Sequence, residues 1–306
     1  MKRSASLDGR VVAVTGGARG IGEATARALA RAGARVAVGD LDVDLAATSA
    51  QSYGGLALPL DVTSQQSFAG FLDQVEATFG GIDALVNNAG IMVIGRHLDA
   101  PLDAQLRQLD INLRGVILGC HEAAPRMARR GGQIVNIASL AGRFAAPGAA
   151  VYSATKAAVL ALSDALDAEL AEQGVRVSVV LPSFTNTGLI SGTTAPALTP
   201  AIEPIQVAEA VVGLLRGYRP QATVPARLSF SAAQWSLMPQ RTRRWLSART
   251  GMGSMFLDYD HAARSAYEER TSRSGQGRDR LTHGGSTQLG HPDREQGDEE
   301  QVVRQQ

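Results

Sequence analysis

Lysine is almost absent from this sequence: only Lys2 and Lys156 occur, and every other residue in the Lys and Arg count is arginine. Position 156 is therefore expected to require a property that arginine does not offer. Cysteine is equally scarce. The single Cys120 excludes an intramolecular disulfide, and we expect it to be a small buried hydrophobic side chain rather than a reactive thiol.

Other absences exclude whole classes of function. The five histidines form no HExxH motif and no Cys/His cluster, so we expect no metal site. A net charge of +1 does not favour a nucleic-acid partner. No stretch reaches the roughly 18 apolar residues that span a bilayer, and the basic N-terminus leads into an apolar strand without a signal-peptide cleavage pattern. We expect a soluble, cytoplasmic protein.

Strand-like and helix-like segments alternate from residue 10 to about 225. Short β-branched runs predict strands at Arg10–Thr15, Arg35–Gly39, Gly55–Pro59, Ile82–Asn87, Gln133–Ala138 and Val175–Leu181. Ala-rich segments predict helices at Ile21–Ala32, Ser64–Phe79, Asp103–Arg130 and Ser153–Gln173. Apolar strands separated by helices indicate an α/β fold, a doubly wound parallel sheet of the Rossmann type in a single domain. Ligands then bind beyond the carboxyl ends of the strands.

A glycine-rich segment, TGGARGIG at Thr15–Gly22, lies between the first predicted strand and the first helix. Its glycines Gly16, Gly20 and Gly22 permit a tight turn and let the backbone approach a pyrophosphate, while the helix N-terminus supplies N–H groups. This arrangement predicts a dinucleotide site. The alternative is a turn that serves packing alone.

Acidic residues follow the second and third predicted strands. Asp40 lies 18 residues beyond Gly22, near the spacing at which a carboxylate accepts the hydroxyls of an adenosine ribose, which favours NAD over NADP. Arg19 is the contrary observation, because an arginine in this loop can pair with a 2′-phosphate. Asp61, followed by Val62, can accept from an adenine amino group, or can instead cap the next helix.

Polar residues also end the next two strands. Asn87, Asn88 and Gly90 belong to the segment NNAG, in which the amides can fix the loop and the glycine can let the chain pass close to a nucleotide, although an ordinary Asx turn is the alternative. Ser139 ends the following strand. Tyr152 and Lys156 come next, four residues apart on one helix face, where the alternative is a packing tyrosine with a solvated lysine.

These motifs, in this order, resemble the short-chain dehydrogenase/reductase family over roughly residues 8–225. The family's marks TGxxxGxG, NNAG, a helical Asn, a strand-end Ser and YxxxK correspond here to Thr15–Gly22, Asn87–Gly90, Asn112, Ser139 and Tyr152–Lys156. The resemblance implies that Tyr152 is the general acid/base and that Ser139 orients the substrate oxygen. It also implies that Lys156 bonds the nicotinamide ribose and that Asn112 holds a water relaying protons from Lys156.

Simple electrostatics agrees with that assignment of the tyrosine. Tyrosine has an ordinary pKa near 10, so a base working near pH 7 needs its pKa lowered by about 3, or roughly 4 kcal/mol. A cation about 4 Å away, in an effective dielectric of 20, supplies about 4 kcal/mol. We therefore expect Lys156 to lower the pKa of Tyr152.

The segment LPSFTNTG after the sixth predicted strand follows the family only in part. Pro182 and Thr187 match, whereas Ser183 replaces the usual Gly and Thr185 replaces a common Val or Ile, so either threonine can be the carboxamide contact. Residues 183–204 are small, Pro-broken and aperiodic, as expected of a substrate lid. The patterns and the resemblance together predict cofactor contacts from Gly16, Arg19, Gly20, Ile21, Gly22, Asp40, Asp61, Val62, Asn88, Ala89, Gly90, Tyr152, Lys156, Pro182, Thr185 and Thr187.

The last third of the chain is not explained by these motifs. Residues 228–250 carry both tryptophans, Trp235 and Trp245, among arginines, and residues 210–257 contain no Asp or Glu. We favour a cap on the substrate cleft or an oligomer contact, and a membrane-surface helix is the alternative. Residues 1–257 are expected to form the domain, 258–270 a terminal helix and 271–306 a disordered tail.

The function predicted is an NAD-dependent oxidoreductase acting on a secondary or hydrophobic alcohol or carbonyl substrate, lipid-like ones included. An NADPH-dependent ketoreductase acting on acyl thioesters and a dinucleotide-sensing protein without turnover are the alternatives. The resemblance implies a homodimer or homotetramer.

Overall fold

Seven parallel strands form one sheet, in the order 3-2-1-4-5-6-7 by chain numbering. The strands are β1 Val11–Thr15, β2 Arg35–Asp40, β3 Leu56–Pro59, β4 Ala84–Asn87, β5 Gly132–Ile137, β6 Val175–Pro182 and β7 Gln221–Val224. The computed structural model describes residues 6–128, 130–195, 200–235, 237–251 and 254–282. Strands β1 and β4 are buried along their whole length, as a sheet covered on both faces requires. The predicted doubly wound α/β fold is confirmed.

Helices cover both faces of this sheet. They are α1 Gly20–Arg31, α2 Val43–Gln51, α3 Gln65–Phe79, α4 Leu102–Leu109, α5 Gly115–Met127, α6 Ala150–Leu170, α7 Pro204–Arg216, α8 Ser229–Trp235, α9 Gln240–Arg249 and α10 His261–Thr282. Side chains along a strand point alternately to the two faces of the sheet, so β1 contributes to two apolar clusters. Val12 packs into one cluster, and Val11 and Ala13 pack into the other. None of the helices described is long and apolar enough to cross a membrane.

The single helix predicted over Asp103–Arg130 is wrong. The chain instead forms α4, one π-helical turn at Asp110–Arg114, and α5, which ends at Met127. Ala128 adopts an extended conformation with ψ of 144° and so stops the helix. A π turn inserts an extra residue into a helix without changing its composition, so the sequence pattern does not reveal it.

Helices α2 and α7 and strand β7 were not predicted, and the bounds of α8 and α9 within segment 228–250 were not predicted either. Helix α2 is short, and its N-cap Asp42 accepts a hydrogen bond from Leu45 N at 3.4 Å. Strand β7 lies at the sheet edge and only its last two residues are buried, so it lacks the long apolar run of the central strands.

The terminal helix is longer than predicted. Helix α10 continues past residue 270 to Thr282, and residues 283–306 lie outside the described part of the chain, so the disorder expected of residues 271–306 stays a prediction. The physical reason for the longer helix is that Tyr267 is buried and anchors the first turns. Once a helix is nucleated, each further residue adds a hydrogen bond, and Arg107 Nη1 donates to the Ser272 carbonyl at 3.2 Å.

Candidate active site

The predicted site residues meet at the carboxyl ends of the strands, where β1 and β4 lie side by side and the strand order reverses. A cavity of about 740 Å³ opens there. The loops after β1, β2 and β4 form one part of its lining, which we call the nucleotide wall. Phe184, Leu189, Ile190 and the chain beyond β7 form another part, which we call the opposite wall. This is the position at which a doubly wound sheet binds its ligands.

The glycine loop fits tightly against the loop after β4. Gly16 has a positive φ of 66°, and a Cβ there would lie 2.8 Å from Ala89 Cα. A Cβ on Gly22 would lie 2.0 Å from the Gly16 carbonyl oxygen. The Asn88 amide donates to the carbonyls of Thr15 and Gly16, both at 3.0 Å, and holds the two loops together. The cradle has no room for side chains at these glycines, which suits a ligand that approaches the backbone.

The loop after β6 reaches the same cradle. A Cβ on Gly20, whose φ is 59°, would lie 3.3 Å from Thr187 Cγ2. Thr187 and its neighbours Pro182 and Thr185 line the cavity together with Ile21. The Thr185 hydroxyl donates to the Ser183 carbonyl at 3.0 Å. The Thr187 hydroxyl donates to the Thr185 carbonyl at 3.4 Å, so both hydroxyls also hold the turn.

Asp40 lies at the end of β2, beside the glycine loop. Its carboxylate accepts from Ala18 N at 2.9 Å and from Asp42 N at 3.0 Å, which orients it at the cavity edge. Arg19 forms a salt bridge with Asp42. Asp42, which sequence reasoning missed, therefore adds a second carboxylate here and pairs with the one cation of the glycine loop. Its position two residues after Asp40 is the feature of the sequence that could have indicated this role.

Asp61 and Val62 also line the cavity. Asp61 Oδ1 accepts from Thr63 N at 2.9 Å and from the Thr63 hydroxyl at 2.6 Å. The suggestion that Asp61 caps the next helix is wrong, because the N-cap of α3 is Ser64, whose side chain accepts from Ser67 N at 3.3 Å.

Ser139, Tyr152 and Lys156 come together on the cavity wall. Ser139 and Tyr152 both line the cavity, and the serine hydroxyl is close enough to the phenol to lower its pKa. Ser139 Oγ also accepts from Ala141 N at 3.1 Å. Lys156 Nζ donates to the Ile137 carbonyl at 2.9 Å and lies 5.8 Å from the centroid of the Tyr152 ring. One helix, α6, supplies the tyrosine and the lysine from adjacent turns, and the end of β5 supplies the serine.

The pKa values of this cluster run opposite to the expectation from the sequence. Burial raises the pKa of the Tyr152 phenol to about 12, against the smaller lowering effect of the Ser139 hydroxyl. Burial also lowers the pKa of Lys156 to about 8. A nearby lysine charge lowers the pKa of an exposed tyrosine, but burying a phenolate carries a larger penalty in the opposite direction. With only these side chains around it, Tyr152 keeps its proton at neutral pH.

Asn112 lies on the π turn between α4 and α5 and is fully buried. Its Nδ2 donates to the Ile91 carbonyl and its Oδ1 accepts from Ile91 N, both at 2.9 Å. A Cβ on Gly90 would lie 3.2 Å from Asn112 Oδ1 and 3.6 Å from Lys156 Nζ. Asn112 thus positions the loop after β4 next to the lysine, and its role in a proton relay stays a prediction.

The wall opposite the glycine loop is mostly aromatic and aliphatic. The rings of Phe184 and Phe256 stack with centroids 5.6 Å apart, and those of Phe144 and Trp235 are 5.0 Å apart. Segment 228–250 places several side chains on this wall, Leu228, Trp235, Met238 and Leu246 among them. Trp245, in contrast, is 57% exposed. Sequence reasoning named the segment but did not identify Phe184, Phe256 or Tyr267 as cavity residues.

The buried Arg264 fastens this wall to the rest of the site. Its side chain is 0% exposed, although it lies in a helix rich in charged residues. Its guanidinium donates to the carbonyls of Leu189, Ser191 and Met92. Helix α10 therefore ties the predicted lid, residues 183–204, to the loop after β4; residues 196–199 of that lid lie outside the described ranges. Among residues with a described position, no group of three His, Cys, Asp or Glu side chains could hold a metal ion.

Comparisons with known proteins agree with this geometry. Residues 10–196 match the sequence profile of the family described as short chain dehydrogenase. The 3-alpha-(or 20-beta)-hydroxysteroid dehydrogenase of Mycobacterium tuberculosis is 37% identical over 218 residues, which cover 69% of this chain and 84% of that protein. A short-chain type dehydrogenase/reductase from Mycobacterium marinum has a crystal structure that superposes with a TM-score of 0.68 at 30% identity, covering 73% of this chain and 97% of that one.

A further relative is longer than this chain. The probable oxidoreductase EphD of Mycobacterium tuberculosis is 38% identical over 190 residues, which cover 60% of this chain and 32% of EphD. The chain therefore spans about a third of the length of that relative.

Proposed function

Because the chain belongs to the short-chain dehydrogenase/reductase family of oxidoreductases, which bind NAD(P), we propose that it transfers a hydride between NAD and a secondary or hydrophobic alcohol or the matching carbonyl compound. The observation that carries the proposal is the Ser139–Tyr152 hydroxyl pair on the wall of the cavity, with Lys156 beside it. A dinucleotide-sensing protein has no need of this pair.

The side chains support proton transfer at the substrate oxygen. When bound, the nicotinamide cofactor accepts or supplies the hydride, and its oxidised form adds a positive charge that favours a phenolate. Tyr152 holds its proton at neutral pH and is therefore ready to donate it to a carbonyl oxygen. Ser139 offers a second hydrogen bond to the same oxygen. Lys156, fixed by the Ile137 carbonyl, supplies a cation on the same helix face.

Charge near the glycine loop favours NAD over NADP. A 2′-phosphate close to Asp40 would be repelled by its negatively charged carboxylate. The N–H groups of Ala18 and Asp42 hold this carboxylate in position. Arg19, the cation that could compensate, pairs with Asp42. The alternative, an NADPH-dependent ketoreductase acting on acyl thioesters, needs a positively charged side chain at this edge of the cavity to bind the 2′-phosphate.

The cavity wall favours an apolar substrate. Stacked Phe184 and Phe256 and the Phe144–Trp235 pair offer flat apolar surfaces, and the volume of about 740 Å³ has space for a cofactor and a ring-sized substrate. The name of the hydroxysteroid dehydrogenase relative says that its substrates are hydroxysteroids. We extend this substrate class to the present chain.

Two experiments test the proposal. Primary, secondary, steroid and lipid alcohols are assayed with NAD, and we expect turnover of at least one secondary or hydrophobic alcohol; absence of turnover despite tight NAD binding would favour a sensor. In the second, NAD and NADP are titrated against the wild type and Asp40→Ala, with Asp44→Ala as a control outside the cavity. We expect Asp40→Ala to reduce the preference for NAD by about tenfold or more, and an unchanged ratio would remove Asp40 from cofactor selection.

We also propose a homo-oligomer. Helices α4 and α5 expose four large aliphatic side chains, with exposed fractions of 67%, 54%, 42% and 44% for Leu102, Leu106, Leu109 and Ile117. Leu102, Leu106 and Leu109 are spaced by four and three residues and so share one face of α4, and an exposed apolar face is typical of subunit contacts. Light scattering of the purified chain tests this, and a monomer at micromolar concentration would contradict it.

A further inference from the structure

Tyr267 of α10 approaches the active site from the wall opposite the glycine loop. It is 7% exposed and lines the same cavity as Tyr152 and Ser139. Its hydroxyl oxygen accepts a hydrogen bond from Met92 N at 2.8 Å. Met92 lies two residues after Gly90, the glycine next to Lys156 Nζ. The tyrosine therefore lies beside the reaction centre.

The Tyr267 hydroxyl has an unused donor. A phenol can accept and donate, and within the described part of the chain its one hydrogen bond is the one it accepts from Met92. Burial raises the pKa of Tyr267, so its proton stays on the oxygen at neutral pH. A charge on Tyr267 would also raise the pKa of Tyr152, which places the two phenols within electrostatic reach of each other.

Two arginines lie over the Tyr267 ring, with Arg264 Cζ 4.8 Å and Arg270 Cζ 5.3 Å from its centroid, and a guanidinium group cannot accept a hydrogen bond. The neighbouring cavity wall is apolar. Met92, Ile94 and Phe256 belong to one buried cluster that also contains the Tyr152 ring, and Phe184 packs against it. A buried hydroxyl proton without an acceptor is unfavourable in such surroundings. An oxygen atom on an otherwise apolar ligand would satisfy it.

Arg264 holds the tyrosine in place. The Tyr267 hydroxyl accepts from the Met92 N–H, and the Arg264 guanidinium donates to the Met92 carbonyl. Two neighbouring turns of α10 therefore hydrogen-bond to one residue of the loop. The same arginine bonds the carbonyls of Leu189 and Ser191 in the lid. The donor is thus fixed in position before any ligand binds, as a specificity-determining group should be.

We propose that Tyr267 donates a hydrogen bond to a second oxygen of the substrate, so that this cavity prefers apolar diols and hydroxyketones over alcohols and ketones with a single oxygen. The inference rests on the proposed oxidoreductase function. Tyr152 and Ser139 hold the reacting oxygen, and Tyr267 holds the other. A site built to bond a substrate hydroxyl discriminates strongly against the analogue that lacks it.

The test compares substrates that differ by one oxygen. Cyclohexanol and the 1,2-, 1,3- and 1,4-cyclohexanediols, and a steroid mono-alcohol with the matching steroid diols, are assayed with NAD and the wild type, Tyr267→Phe and Tyr259→Phe. Tyr259 is the matched control, since this tyrosine lies just before α10, packs against the same apolar cluster, and is outside the cavity lining. We expect the wild type to prefer at least one diol by about tenfold or more in kcat/KM. Tyr267→Phe should lower kcat/KM for the preferred diol at least about tenfold more than for the mono-alcohol, because both substrates lose the support of Met92 N–H but only the diol loses the donor to its second oxygen. Tyr259→Phe should retain the wild-type preference.

Each outcome separates the inference from the function on which it rests. If the wild type turns over mono-alcohols but prefers no diol, the role of Tyr267 is wrong and the oxidoreductase function stands. If Tyr267→Phe lowers turnover of mono-alcohols and diols equally, Tyr267 is structural only. If the wild type turns over none of the substrates, the proposed function fails first. Because the wild-type preference needs no variant, the inference stays open to contradiction even if Tyr267→Phe does not fold.

Discussion

The two walls of the cavity are built on different principles. The nucleotide wall consists of loops at strand ends, where Gly16, Gly22 and Gly90 let backbone segments approach one another and a ligand. The opposite wall consists of helices and loops far along the chain, where large side chains such as Trp235 and Phe256 fill space. The first is a fixed backbone surface that suits a cofactor shared by many enzymes. The second is a surface of side chains, which can be changed one at a time and therefore suits substrate selection.

The largest expected effect is on the nucleotide wall. In Gly22→Ala, the added Cβ would lie 2.0 Å from the Gly16 carbonyl oxygen and 2.5 Å from Asn88 Nδ2, so the loop must move. We expect the affinity for NADH, measured by fluorescence titration, to fall by about 100-fold or more, because backbone contacts to phosphates depend on that loop shape.

Gly70→Ala is the matched control for this change, since it lies in α3 with nothing within 4 Å of its added Cβ. It should leave NADH affinity unchanged and stabilise the helix by up to about 1 kcal/mol. Unaltered affinity in Gly22→Ala would show that the glycine loop is not the nucleotide cradle.

Lys156→Arg tests whether this wall needs lysine itself. The side chain is 4% exposed and its ammonium donates to the Ile137 carbonyl, a point contact that the bulkier, planar guanidinium does not reproduce. We expect kcat/KM to fall by about 100-fold, with Lys156→Met as the control that removes charge and keeps approximate length. Near-normal activity in Lys156→Arg would contradict the requirement for lysine at this position.

On the opposite wall, Arg264→Met removes the donors to three carbonyl groups. We expect the free energy of unfolding in urea to fall by about 3 kcal/mol, since buried acceptors lose their partner, and KM to rise more than kcat falls as the lid loosens. Arg244→Met on the exposed side of α9 should change stability by less than about 0.5 kcal/mol. Equal effects of the two variants would mean that Arg264 does not fasten the lid.

The smallest effect should come from the outside of this wall. Trp245 is 57% exposed, so Trp245→Ser should leave both activity and the unfolding midpoint nearly unchanged, within about 0.5 kcal/mol. Binding to vesicles of anionic lipid is measured in parallel. If the wild type binds these vesicles and Trp245→Ser does not, the membrane-surface interpretation of segment 228–250 would be favoured instead.

The residues of the nucleotide wall could be predicted from the sequence more completely than those of the opposite wall. The residues of each motif lie close together along the chain, so Gly16, Ser139 and Lys156 could be assigned from pattern and resemblance. Tyr267 contacts Met92 across 175 residues of sequence, and no local pattern reports such a contact. The π turn that carries Asn112 has the composition of an ordinary helix.

The pKa of Tyr152 marks a further limit of sequence reasoning. The spacing of Tyr152 and Lys156 correctly predicts that they share a helix face, but it contains no information on burial. Burial is a property of the packed fold, and here it raises the pKa of the phenol to about 12, in the opposite direction from the charge argument.

The most direct test of the division between the walls is kcat/KM for the wild type, Tyr152→Phe and Phe256→Ala on small and large secondary alcohols, with thermal unfolding as the check on folding. We expect Tyr152→Phe to lose at least about 100-fold on every substrate, because the proton-transfer group is common to all. Phe256→Ala should lose most on the large apolar substrates and little on the small ones. Activity of Tyr152→Phe close to wild type on any substrate would contradict the account.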